Sequence, residues 1–173
     1  MAKQKLNLQA YQQGILERLR SLTESGHASF ASKLGVRMGG ANWLVALDDV
    51  SEVLPMPEIM PVPLTQPWFM GMANVRGNLY ALTDLGAFLG KAAAAVTGES
   101  RILLVHSRFE LNAGLLVDQL IGLRNLEEMH IEPDTEAAPA WQLASYKDAN
   151  GQVWNELDTG MLLGRNDFMQ VAA

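Results

Sequence analysis

From Leu8 the apolar positions Leu8, Tyr11, Ile15, Leu19 and Leu22 step by three, four, four and three, with Gln12, Gln13, Glu17, Arg18 and Arg20 off that stripe. This spacing predicts an amphipathic helix, and Ser25-Gly-His-Ala-Ser29 ends it with a flexible joint. The period then changes. Leu34-Gly-Val-Arg-Met38 and Asn42-Trp-Leu-Val-Ala-Leu47 read as strands around Gly39-Gly40, a pair that suits a hairpin turn with positive φ at both residues. Three more strand pairs follow: Phe69 to Val75 with Leu79 to Leu82, Arg101 to Ser107 with Leu111 to Val117, and Trp141 to Lys147 with Gln152 to Leu157. About eight short strands in hairpins predict one or two small barrels.

Between the first two pairs Pro55, Pro57, Pro61, Pro63 and Pro67 all fall on odd numbers. In an extended chain they line one side and leave Met56, Glu58, Met60 and Val62 on the other. Because proline removes ladder hydrogen bonds, this stretch reads as a stiffened connector or edge.

An internal repeat organises the pattern further. GNLYALTDLGAFLG (77–90) and GQVWNELDTGMLLG (151–164) align without a gap, placing Asp84 over Asp158 where a strand gives way to a short helix. Each carboxylate is expected to cap that helix, and Gly90 to end the first one in a left-handed cap with Lys91 behind it. A weaker echo sets Asp48 against Asp118, again as candidate caps. The repeat predicts two similar β lobes in one chain.

Composition narrows the chemistry. The 173 residues include no cysteine, so thiolate metal sites, cysteine nucleophiles and disulfides are excluded. His27, His106 and His130 lie outside metal-ligand spacing of one another, and His106 reads as a sheet residue. No metal or cofactor is expected. Gly86-Ala-Phe-Leu-Gly90-Lys91-Ala92 falls short of a phosphate loop: it has three residues between its glycines and ends in Ala instead of Ser or Thr. The densest carboxylates are Asp48, Asp49 and Glu52, then Glu127, Glu128, Glu132, Asp134 and Glu136, and these read as solvated groups. Residues 1–37 carry six Lys or Arg against two Glu (+4), whereas the remainder carries seven against seventeen acids (-10). Such an acidic body argues against nucleic acid as a partner. The start MAKQKLNLQAYQQG lacks the apolar core of a secretory signal, and no apolar run reaches the ~20 residues of a membrane span. A cytoplasmic chain without membrane insertion is expected.

Arg76 is the distinctive charge, a guanidinium on the turn Asn74-Val-Arg76-Gly77 with Met60, Phe69, Met70 and Met72 close in sequence. A rigid fork beside flexible thioethers suits contact with another protein. The segment Val50-Ser-Glu52-Val-Leu54, the proline stretch, and Phe69-Met-Gly71-Met-Ala-Asn74-Val-Arg76-Gly77 through Asp84-Leu85 resemble the CheW coupling-protein family in order and spacing. Gly114-Leu-Leu-Val-Asp118 resembles a further segment of that family. Ala81-Leu82 departs from it, standing where the family often has proline and a β-branched residue.

The resemblance covers about residues 29–165. It implies a mainly β fold of two intertwined five-stranded SH3-like barrels, preceded by the amphipathic segment 1–28 and followed by a tail at 166–173. It also implies a non-enzymatic adaptor joining the cytoplasmic tip of a methyl-accepting chemoreceptor to the regulatory domain of a CheA-type histidine kinase, at membrane-associated receptor arrays. By position, Asn74 and Arg76 belong to the receptor-contact segment in the groove between lobes, and Val50 and Glu52 to a partner-contact segment on the first lobe. Asp84 and Asp118 take structural roles. The N-terminal extension and the acidic run resemble the PilI-type members serving twitching motility and type IV pili. Two rival functions stay open: a stand-alone SH3-like peptide-binding module using exposed tryptophans among Trp43, Trp68, Trp141 and Trp154, and a small hydrolase using Asp48, Asp49 or Glu52.

Overall fold

The computed structural model describes residues 32–133 and 137–173, so the helix expected within 1–28 lies outside the described residues. Hairpin β1 (Ser32–Met38) and β2 (Ala41–Ala46) forms as the glycine pair predicts, with φ of 57° and 78° at Gly39 and Gly40. The chain then leaves this sheet. β3 (Val50–Pro55) pairs with β6 (Arg101–Val105), while β4 (Phe69–Val75) and β5 (Asn78–Asp84) form a hairpin that joins β7 (Ala113–Val117) through β5. β8 (Gln119–Asn125) returns to pair with β1, followed by β9 (His130–Glu132), β10 (Gln142–Lys147) and β11 (Val153–Leu157). The sheets run β8-β1-β2-β11-β10-β9 and β3-β6-β7-β5-β4.

The two orders superpose strand for strand. Each lobe has a hairpin (β1–β2, β6–β7) whose following strand crosses to the other sheet, which is how the lobes intertwine. Each also has a second hairpin that joins the first through a parallel pair, β11 to β2 and β5 to β7. Both second hairpins carry an irregularity near their start, between Phe69 and Gly71 and between Gln142 and Ala144. The sixth strand, β9, goes beyond the expected five. Its counterpart is a single bridge, Met60 to Met72, on the outer edge of β4.

The sequence repeat therefore marks a structural one. Asp84 Oδ1 accepts from the Ala87 amide at the start of α1 (Leu85–Phe88), and Asp158 Oδ1 accepts from the Met161 amide at the start of α2 (Thr159–Leu163). After α1 the Gly90 amide donates to Ala87 and the Lys91 amide to Gly86, the Schellman arrangement that a left-handed glycine closes.

Two apolar clusters follow from strand alternation. On β6, Leu103 and Val105 face a core shared with Leu34, Val36, Trp43 and Val45 of the other sheet, while Ile102 and Leu104 face Ala73, Leu82 and Leu116 inside the five-stranded curl. The corresponding interior of the six-stranded lobe differs. There Trp154, fully buried, lies so close to Gly35 that a Cβ on Gly35 would stand 3.0 Å from its ring. Around it are Lys33, bonded to Glu156 at 2.9 Å, and Tyr146, whose hydroxyl donates to Glu156 at 3.1 Å. Burial first, then the Glu156 charge, pushes the Tyr146 hydroxyl pKa up.

Several expectations are corrected. His106 lies past the end of β6, where its Nδ1 accepts from the Arg108 amide in the 3-10 turn Ser107–Phe109. Asp48 is exposed and caps nothing; the aspartate matching Asp118 in position is Asp49, each standing just before the strand that crosses between sheets. Asp118 stands between β7 and β8 and caps no helix among the described residues. The face assigned to Met56, Glu58, Met60 and Val62 breaks up, because Met56 and Ile59 pack on the five-stranded interior while Met60 and Val62 are exposed. The tail at 166–173 packs on the lobes: α3 (Asn166–Met169) buries Phe168 in the shared core, and Thr65 bridges Ala172. An apolar ring at the end of the chain gains by packing against Trp68, which it stacks at 5.9 Å.

The β10–β11 turn supplies a pH-dependent element. Asp148 accepts from the Trp154 indole at 3.0 Å and from the Asn150 and Gln152 amides, and the indole bond foremost holds its carboxyl below the ordinary range. A depressed pKa contributes stability above the unfolded value near 4, which is lost as pH falls through the folded value. The wild type is expected to melt above Asp148→Asn at pH 7, with the gap shrinking below about pH 4. Thermal melts of both proteins across that range check it.

Candidate functional site

The two-residue turn between β4 and β5 places Arg76 and Gly77 at φ of 52° and 87°. Positive φ at both residues matches the twist of a tight hairpin, and it is unusual for arginine. Asn74 stabilises the turn: its Oδ1 accepts from the Gly77 amide at 2.9 Å. The side chain of Arg76 remains 73% exposed, yet its guanidinium grips Glu52 in a two-pronged pair, Nη1 to Oε2 at 2.7 Å and Nη2 to Oε1 at 2.5 Å.

That contact reports on the shape of the sheet. β3 and β4 are its opposite edges, and four strand spacings of ~4.8 Å would separate them by ~19 Å if it were flat. An arginine on the β4–β5 turn reaches Glu52 on β3 because the sheet curls until its edges approach. Two candidate residues that the resemblance gives to different contacts are therefore partners of each other. Val50 stands two residues before Glu52 on β3, opposite Val105 and partly packed on the shared core. Asn74 supports the turn that presents Arg76.

The carboxylates proposed for hydrolysis do not converge. Asp49, nearly buried, is engaged by Arg108, whose guanidinium also lies 4.9 Å from the Phe109 ring. Glu52 is held by Arg76, and Asp48 points to solvent. Among the described residues no cluster of His, Asp and Glu suits a metal ion. A cleft of about 440 Å³ lies between the β1–β2 turn and the loop after α1, with Lys91 and Asp118 in its wall. Burial, then the nearby Asp84 charge, raises the Asp118 pKa, opposed by the Gly39 amide and Arg37. Asp84 is occupied in turn by the Ala87 and Ala94 amides.

The tryptophans form no open platform either. Trp43 and Trp154 are buried, and Trp68 and Trp141 pack with Phe88 in one aromatic group, Trp68 to Phe88 at 5.1 Å and Trp141 to Phe88 at 6.1 Å. Sequence reasoning missed the two long-range arginine pairs, because their partners lie 24 and 59 residues away and no local spacing links them. For Lys33–Glu156 a signal was present: the repeat sets Glu156 where the first copy has the fully buried Leu82.

The family model for the CheW-like domain matches residues 33–167. The chain belongs to the CheW-like domain family. Among relatives of this CheW-like chain, protein PilI of Pseudomonas aeruginosa is 30% identical over 146 residues, covering 82% of this chain and 80% of that one. Protein FrzA of Myxococcus xanthus is 32% identical over 97 residues, 56% of this chain and 60% of its own. Chemotaxis protein CheW of Rhizobium meliloti is 26% identical, with 69% and 74% covered. The crystal structure of the scaffolding protein TtCheW from Thermoanaerobacter tengcongensis superposes with a TM-score of 0.66 at 20% identity, covering 79% of this chain and 90% of that one. At that identity it speaks for the fold alone, and the CheW-like architecture of two linked β lobes agrees with it. No helix among the described residues is long and apolar enough to cross a membrane.

Proposed function

We propose that this CheW-like chain is a non-enzymatic adaptor that couples a methyl-accepting chemoreceptor to a CheA-type histidine kinase, in a chemosensory pathway governing twitching motility and type IV pili. The observation that carries the reading is the Asn74-braced turn, which presents an exposed Arg76 fork beside Glu52 on a chain similar to PilI over most of its length. Asn74 and Arg76 are assigned to the receptor tip, Val50 and Glu52 to partner contact on the first lobe. The work is geometric: contacts of modest individual strength, made by two partners on one rigid body, gain avidity when both are engaged. The adaptor acts in the cytoplasm at receptor arrays and uses no cofactor.

Reconstitution tests this. The chain, a receptor cytoplasmic fragment and the kinase are purified from one source and mixed; receptor-dependent change in kinase autophosphorylation is expected only when the chain is present. Unchanged autophosphorylation with and without the chain would overturn the coupling role.

A further inference from the structure

In the six-stranded sheet β8 and β9 are the two outer strands, with no ladder between them, yet only the 3-10 turn Leu126–Glu128 and Met129 separate them along the chain. The sheet therefore has a seam where its edges come together. Residues opposite each other on paired strands share a face, so Trp154, Tyr146 and Ile131 form one row across β11, β10 and β9. Burial along that row falls from Trp154, fully enclosed, through Tyr146, half-buried, to Ile131, 70% exposed. The inward face of this lobe thus loses its cover at β9. Leu126 and Met129, half-buried beside the seam, belong like Ile131 to neither apolar cluster.

The point where the chain enters the fold says what covers it. Ser32 opens β1 opposite Asn125, the last residue of β8, whose Oδ1 accepts from the Glu127 amide in the turn. The residues before Ser32 therefore arrive at the end of the seam itself. Nine residues separate Ser32 from Leu22, the last position of the apolar stripe Leu8, Tyr11, Ile15, Leu19 and Leu22. Extended, they span up to ~30 Å, and the stripe wound as a helix runs for ~21 Å, about the length of a strand in this sheet. On so short a tether the stripe meets the seam at an effective concentration on the order of millimolar, which any separate partner has to outcompete. A helix of ~15 residues is marginal alone in water and needs a surface for its apolar face.

Charge points the same way. Residues 1–28 carry Lys3, Lys5, Arg18 and Arg20 against Glu17 and Glu24, whereas the turn beside the seam exposes Glu127 and Glu128. Arg18 borders the stripe one helical turn before Leu22, toward the end that joins Ser32.

We propose that residues 8–22 dock in this chain's own seam as an amphipathic helix, with the stripe over Ile131 and Met129 and Arg18 toward Glu127 and Glu128. The docked stripe continues the row that begins at Trp154 and covers the open edge of β9 against pairing with other chains. The inference is independent of the adaptor reading, since the seam belongs to the six-stranded sheet and Arg76 and Glu52 to the five-stranded one.

The chain has no cysteine, so Gln13→Cys, off the stripe, takes a single nitroxide label in the whole protein. Amide NMR signals of residues 126–132 are expected to lose more intensity than any others of the two sheets, and to regain it when the label is reduced. Ile131→Asn in the same labelled protein is expected to restore those signals while the thermal melt stays cooperative. No loss over 126–132, or a loss that Ile131→Asn leaves unchanged, overturns the docking. Labelled protein is also mixed with isotope-enriched protein that carries no label; a loss that appears in this mixture means that a second copy fills the seam, and it overturns the proposal as well.

Discussion

Replacing Glu156 by leucine lowers the unfolding free energy by about 3 kcal/mol, and adding Lys33→Met to that variant returns most of the loss. Both side chains are largely buried, at 16% and 10% exposure, inside the six-stranded lobe. Removing one member strands an ammonium beside Trp154 with its nearest counter-charge gone, and that uncompensated charge carries the cost. Removing both leaves two apolar side chains in a space whose counterpart in the other lobe holds Leu82, Ile102 and Leu104 without charge. The order of stability is expected to be wild type near the double variant, both well above Glu156→Leu. Urea unfolding at pH 7 decides it. A single variant as stable as wild type would mean that Lys33 escapes to solvent on losing its partner. Tyr146 moves with the pair: without Glu156 as neighbour and acceptor, its hydroxyl titrates at lower pH, which absorbance at alkaline pH follows.

The same pair shows where the sequence is readable. Hairpins with short turns are written locally: Gly39-Gly40 and Gly77 admit positive φ, and the flanking runs alternate, so their strands form where expected. The repeat carries Asp84 and Asp158 into matching caps because capping needs only three residues of chain. β3, β8 and β9 were not legible. Leu120 and Ile121 break alternation in Gln119–Asn125, and His130–Glu132 is too short to show a period. Strand exchange is a tertiary decision that no local pattern encodes. The charge split at residue 37 illustrates the same limit, since two of the six cations counted with the amphipathic segment, Lys33 and Arg37, belong to β1, and one of them is the buried partner of Glu156. Arg76 was found as an exposed fork, but its hold on Glu52 depends on the curl of the whole sheet.

That hold sets up the second large effect. On the adaptor reading, Arg76→Asp weakens capture of the receptor fragment at least tenfold, or about 1.4 kcal/mol, while the melting midpoint moves by only a few degrees. The small thermal change follows from exposure: a pair with one side chain 73% open to water contributes ~0–1 kcal/mol to folding. Two causes would produce the same loss of capture, because Arg76 either touches the receptor or, by gripping Glu52, fixes the angle of the turn that does. The reciprocal variant Glu52→Arg with Arg76→Asp separates them, since it rebuilds an ion pair at the mouth of the curl with the charges exchanged. Direct contact predicts that capture stays lost in this double variant, because an anion now stands on the turn where the partner meets a fork. Recovery of capture would make Arg76 a brace and move the receptor contact to its neighbours. Direct contact is the expected outcome, because the guanidinium keeps most of its surface open even while both of its outer nitrogens hold Glu52.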